Sequence, residues 1–261
     1  MFPIIPANSV TAASGNDEGI FCYGYDGVAP FYSTSNLVSN TGVVSSDVAG
    51  VGTAKMFPAG CEYGGDKGIF GFGATHYILG TRVNTSNLVS NTGVVSSDVA
   101  GVGTARKGLG ACRYGGDKGI FGFGGYGGPV LFALTNLVSN AGVVATDTVG
   151  VGTARYQLAA CGYGGDKGIF GYGEKSGGQH GGTNLVSNTG VVSTDVADVG
   201  TTRSLLAACD YGGDKGIFGY GATWVATLSI TNLVSNTGVV ASDQAATTGT
   251  ARNSLAACSF N

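Results

Sequence analysis

Charge is scarce in this chain. Only 11% of its 261 residues are Asp, Glu, Lys or Arg, and the net charge is −3. Such a balance supplies no basic field to draw in nucleic acid, so no nucleic-acid partner is expected. No run approaches the roughly 18 apolar residues that a membrane-spanning helix needs. The opening MFPIIPANSV has no basic segment and too short an apolar stretch for a secretory signal. These features predict synthesis in the cytoplasm and no membrane insertion. Histidine occurs twice and tryptophan once, which leaves little for a metal site or a proton relay. No metal and no cofactor is expected. Helical periodicity is missing as well.

Glycine is abundant, at 49 residues, but a hydrophobic share of 43% and an aromatic share of 10% can still fill a core. The chain also repeats itself. LAACGYGGDKGIFGYG at 158–173 returns as LGACRYGGDKGIFGFG at 109–124, as PAGCEYGGDKGIFGFG at 58–73 and again from 205. The basic residue of GTA(K/R) and its variants falls at Lys55, Arg106, Arg155, Arg203 and Arg252, in steps of 51, 49, 48 and 49 residues. A period near 50 suits a propeller blade and is too long for one turn of a β-helix.

Each period predicts four strands: 158–163, 168–172, about 184–187 and 191–195. Gly-Gly-Asp-Lys and Asn-Thr-Gly sit at the turns, where positive φ is required. Residues 15–24 match the turn and second strand of the repeat, whereas 252–261 match its first strand. The expectation is an all-β, five-bladed β-propeller of four-stranded antiparallel blades over 15–261. The C-terminal strand would close it by pairing in the N-terminal blade. Residues 1–14 stand outside the repeat as an extended segment suited either to docking on its own propeller or to assembly with a neighbouring subunit.

Arg155, the following Leu-Ala-Ala at 158–160, and Lys167-Gly-Ile-Phe-Gly-Tyr-Gly173 resemble the kelch repeat. In that family an Arg precedes the first strand and an aromatic-rich second strand ends in paired glycines. Here an aromatic splits the glycine pair, and the fourth-strand Trp is absent. The resemblance implies a propeller whose first strand lies innermost. TNLVSNTGVVSTD and YGGDKGIFGYG are also similar to repeats in virion proteins of marine bacteriophages, which implies a virion-associated attachment or decoration role.

An innermost strand makes Cys61, Cys112, Cys161, Cys209 and Cys258 small packing residues beside a crowded axis. Second-strand aromatics such as Phe121 and Phe170 should pack between blades against glycines. The acids Asp47, Asp98, Asp147, Asp195 and Asp243 should serve edge polarity or backbone hydrogen bonding. Glu62 and Asp210 are the acids outside the repeated sets that share first strands, so a glycosidase would have to use them. His76 and His180 read as surface-loop residues. Gly122-Phe-Gly-Gly-Tyr-Gly127 fits GxGxxG, but no helix follows it, and the dinucleotide reading fails.

Variation concentrates between the second and third strands of each repeat. Those segments hold Tyr32, Tyr77, Arg82, Tyr126 and Trp224, aromatic and Arg residues of the kind that anchor interfaces. The connection carrying Lys55, Arg106, Arg155, Arg203 and Arg252 lies at the same end, so one face should combine varied loops with a basic ring. The expected protein is a non-enzymatic module whose varied face binds a protein partner or a surface glycan. A lectin-like propeller with one sugar site per blade is the alternative, and a glycoside hydrolase is third.

Overall fold

The computed structural model describes residues 18–25, 31–76, 81–244 and 249–259. The extension 1–14 and Tyr77 lie outside the described residues. All regular structure among the described residues is strand. Alternating small and aromatic residues flanked by Gly-Gly-Asp and Asn-Thr-Gly favour short pleated segments, and the same small antiparallel sheet recurs along the chain.

In the second repeat the sheet order is Ala59–Tyr63, Lys67–Gly71, Ser86–Val89. The third repeat has Gly110–Tyr114, Lys118–Gly122 and Thr135–Val138. The fourth has Ala159–Tyr163, Lys167–Gly171 and Thr183–Val186. The fifth has Ala207–Tyr211, Lys215–Gly219 and Thr231–Val234. The expected fourth strand is present only as isolated bridges, such as Thr183 with Val196 and Val186 with Val192. Each sheet proper is therefore three-stranded. The first repeat holds two strands, Gly19–Gly24 and Tyr32–Val38. The pairing expected between the C-terminal segment and the first repeat is not made: residues 255–259 carry no strand.

Gly64 and Gly65 adopt φ of 65° and 81° in the Gly-Gly-Asp-Lys turn, which a side chain would resist. A less expected departure follows the second strand. Phe72, Phe123, Tyr172 and Tyr220 take φ between 61° and 63°. Left-handed backbone at a bulky residue is uncommon and signals local strain. It breaks strand alternation and turns each ring onto the next repeat. Phe72 meets Phe121 edge-on at 5.3 Å, Phe123 meets Phe170 at 5.3 Å, and Tyr172 meets Phe218 at 5.3 Å.

Candidate functional site

The repeated basic residues are not a binding ring. Lys55, Arg106, Arg155 and Arg203 are wholly buried, and only Arg252 is exposed. A guanidinium enters a protein interior only when its donors and charge are met. Arg106 Nη2 donates to Asn136 Oδ1 at 2.7 Å, Nε to the Phe123 carbonyl at 2.7 Å and Nη1 to the Thr104 carbonyl at 3.0 Å. Its guanidinium carbon lies 4.4 Å from the centre of the Phe72 ring in the preceding repeat. Burial lowers its pKa to about 10, so it stays charged at neutral pH.

Asp147 completes this network. Its carboxylate accepts from Asn136 Nδ2 at 2.9 Å and from the Thr104 amide at 2.8 Å. Burial alone would raise the Asp147 pKa. The hydrogen bonds from Thr104 and Asn136, with the Arg106 charge, bring it below the usual carboxylate range. The arrangement repeats with Lys55, Asn87, Asp98 and Thr53; with Arg155, Asn184, Asp195 and Thr153; and with Arg203, Asn232, Asp243 and Thr201. Of the two roles expected for the recurrent acid, backbone hydrogen bonding is the one seen at Asp98, Asp147, Asp195 and Asp243, which anchor the connection entering their repeat. The buried asparagine was missed in the sequence reading, although its recurrence in every (T/S)NLV was the available signal.

The varied loops begin directly over these networks. The residue after each basic side chain bridges to the start of its own repeat's loop, as Lys107 does with Gly125 and Ser204 with Ala222. Arg82 and Tyr126, from adjacent repeats, come together. Arg82 Nη2 donates to the Tyr126 carbonyl at 2.7 Å, and its guanidinium lies 5.1 Å from the Tyr126 ring centre. Phe132 backs that ring edge-on at 5.2 Å. Burial and then the Arg82 charge lower the pKa of neighbouring Lys107. Trp224 stands apart on a turn closed by Thr223 and Ala226, with 67% of its surface exposed. Tyr32 lines an open cleft in the first repeat with Tyr23, Gly24, Tyr25, Thr34 and Asp47. Five expected contact residues thus resolve into one pair, two separate positions and Tyr77 outside the described residues.

The chain resembles known proteins in shape alone. No family model and no curated protein matches it. A solved structure titled "Structure of YjhT" is similar, with a TM-score of 0.65 at 9% identity over 87% of this chain and 81% of that one. That likeness, with the repeated three-stranded sheets, fits an all-β, propeller-like arrangement.

The expected enzyme candidates do not stand as two free carboxylates. Arg113 lies between them, 2.8 Å from Asp210 and 3.9 Å from Glu62. Asp210 also accepts the Gly162 amide at 2.9 Å. Four inner strands are thereby linked near their ends. Among the described residues, no group of three or more His, Cys, Asp or Glu side chains is placed to hold a metal. Cys61, Cys112 and Cys161 pack against glycines of the next repeat, as a Cβ on Gly168 would lie 2.5 Å from Cys112 Sγ, whereas Cys258, expected to pack likewise, is exposed. Burial raises the Cys61 pKa to about 12, which suppresses the nucleophilic thiolate.

His180 is the second correction, because it is buried rather than on the surface. Neither ring nitrogen has a hydrogen-bond partner among the described residues. Gly182 leaves room for it, since a Cβ there would lie 2.7 Å from Nε2. Burial and the Arg155 charge hold its pKa below the ordinary imidazole value, against an opposing pull from Asp198 at 3.7 Å. The unfolded state therefore takes up a proton before the folded state does. Stability should fall as pH drops below about 6.5, the unperturbed imidazole pKa. His180→Gln should flatten the slope of melting temperature against pH between about 7 and 5. An unchanged slope would show that His180 titrates normally.

Proposed function

We propose that this chain is a non-enzymatic binding and structural module built as a five-bladed, kelch-like β-propeller. In this reading residues 253–259 supply the missing inner strand of the first blade. Its varied end is the binding face, and a virion-associated attachment or decoration role is its concrete form. The observation that carries the reading is the contrast within each repeat. Near-identical buried networks hold the scaffold rigid, while the segments directly above them differ in every copy. Varied loops on a rigid scaffold are where recognition concentrates.

The exposed Trp224 and the Arg82–Tyr126 pair supply the anchors. An aromatic face beside a guanidinium suits a sugar ring or a protein side chain. The lectin-like alternative needs equivalent pockets in each repeat, which the differing loops do not provide. Screening on a glycan array, with native mass spectrometry of co-purifying proteins, identifies the ligand class. The Arg82→Ala, Trp224→Ala double variant should then lose at least about tenfold in affinity for the identified ligand while its melting temperature holds. Unaltered affinity rejects this face.

A further inference from the structure

The cation–Asn–Asp–Thr network recurs four times, and the three joints from the second repeat to the fifth share two further contacts. Phe121, Phe170 and Phe218 occupy the space beside Gly71, Gly122 and Gly171 of the preceding repeat. At these three joints an inner-strand Cys (Cys61, Cys112, Cys161) abuts a second-strand Gly of the next repeat (Gly119, Gly168, Gly216), and the cation of each network lies over a ring of the preceding repeat.

A fifth set of these partners is present in the chain but stands apart. On the fifth-repeat side, a Cβ on Gly219 would meet only Thr231 among the described residues. Arg252 lies 3.8 Å from the Tyr220 ring centre and donates to the Thr250 carbonyl, yet reaches no asparagine among the described residues. On the first-repeat side Phe21 is 50% exposed, although Phe121, Phe170 and Phe218 are buried. Among the described residues Asp47 holds Asn36 but no threonine. The two sides match as Phe21 with Gly219, Asp47 with Thr250, Asn36 with Arg252 and Gly19 with Cys209.

We propose that a second copy of this chain completes this joint, the fifth-repeat end of one molecule docking head-to-tail on the first repeat of the next. Residues 255–259 then add as a strand along Gly19–Gly24. Register carried over from Ala59 opposite Gly71 and Cys61 opposite Ile69 sets Ala256 opposite Cys22 and Cys258 opposite Ile20. In the later repeats a three-residue turn joins the inner strand to its neighbour, so both come from one chain. Most of the chain separates 255–259 from Gly19–Gly24, and in this structure they do not pair. An open strand edge is a template for another molecule. Because the two halves differ, the contact is heterologous and propagates. The inference rests on the propeller reading, which assigns 255–259 as an inner strand, and changes only which molecule supplies it.

Cysteines placed by this register provide the test, since directly opposed strand positions lie within disulfide reach. One chain carries Cys258→Ser and keeps Cys22. A second, of different tagged mass, carries Cys22→Gly, Cys258→Ser and Ala256→Cys. Mild oxidation of the mixture should give a disulfide between the two masses, mapped to Cys22 by peptide mass spectrometry. Gly219→Val in the second chain should lower that yield at least tenfold while leaving its circular dichroism spectrum intact, because Gly219 faces open space within one copy. Native mass spectrometry of the unaltered chain should show multiples of 25.9 kDa. A single chain carrying Cys22, Cys258→Ser and Ala256→Cys serves as the comparison. A disulfide formed only within that chain, with a monomeric native mass, overturns completion between copies and leaves the propeller reading standing. Failure of folded chains to form either disulfide overturns both.

Discussion

Arg106→Ala should lower the free energy of unfolding by about 3–5 kcal/mol, read as a lower urea midpoint at an unchanged denaturant slope. The substitution leaves Asn136 Oδ1 and the Phe123 carbonyl without their donor and removes the cation over Phe72. It also strips Asp147 of its nearby positive charge, 3.6 Å away. Breaking one half of a buried charged network costs more than the network contributes, because the groups left behind remain desolvated. Arg252→Ala provides the internal comparison. Arg252 holds the same place in the repeat but is exposed, so a change within about 0.5 kcal/mol is expected in the isolated chain. Equal losses at both positions would show that the joint between the first and fifth repeats is already closed in solution.

Gly122→Val should cost about 3 kcal/mol through overpacking. A Cβ on Gly122 would stand 2.6 Å from Phe170 Cζ. Phe170 is fully buried and held edge-on by Phe123, so the ring has nowhere to go. Gly219→Val in the isolated chain should be within about 0.5 kcal/mol of the parent, since nothing from a neighbouring repeat fills that space. The same urea titration measures both variants. A large loss at Gly219 would mean that Phe21 already packs there.

The repeat unit was legible because its signals are local. Period, turn glycines and alternation placed the strands of the fourth repeat at 158–163, 168–172 and about 184–187, and the structure has Ala159–Tyr163, Lys167–Gly171 and Thr183–Val186. The aromatic packing against glycine was legible for the same reason, since a bulky residue and a vacancy recur in fixed order. The buried cations were not. A basic residue in a glycine-rich connection has the same sequence signature whether it faces solvent or a neighbouring ring. Burial became possible only because Phe72, Asn136 and Asp147 converge on Arg106 from two repeats. His180 misled in the same way: the flanking glycines read as a loop, yet one of them, Gly182, makes room for the ring to turn inward.

The sequence by itself determined the repeat, its phase, the all-β class and where the copies stop agreeing. Those properties follow from backbone preferences and side-chain alternation, which act over a few residues. Only the tertiary structure decided which charges are buried, that Arg82 meets Tyr126 across two repeats, that Arg113 separates Glu62 from Asp210, and that one joint stands open. Each of these depends on groups that stand about 30 to 100 residues apart in the chain, where no local pattern records what the partner will be.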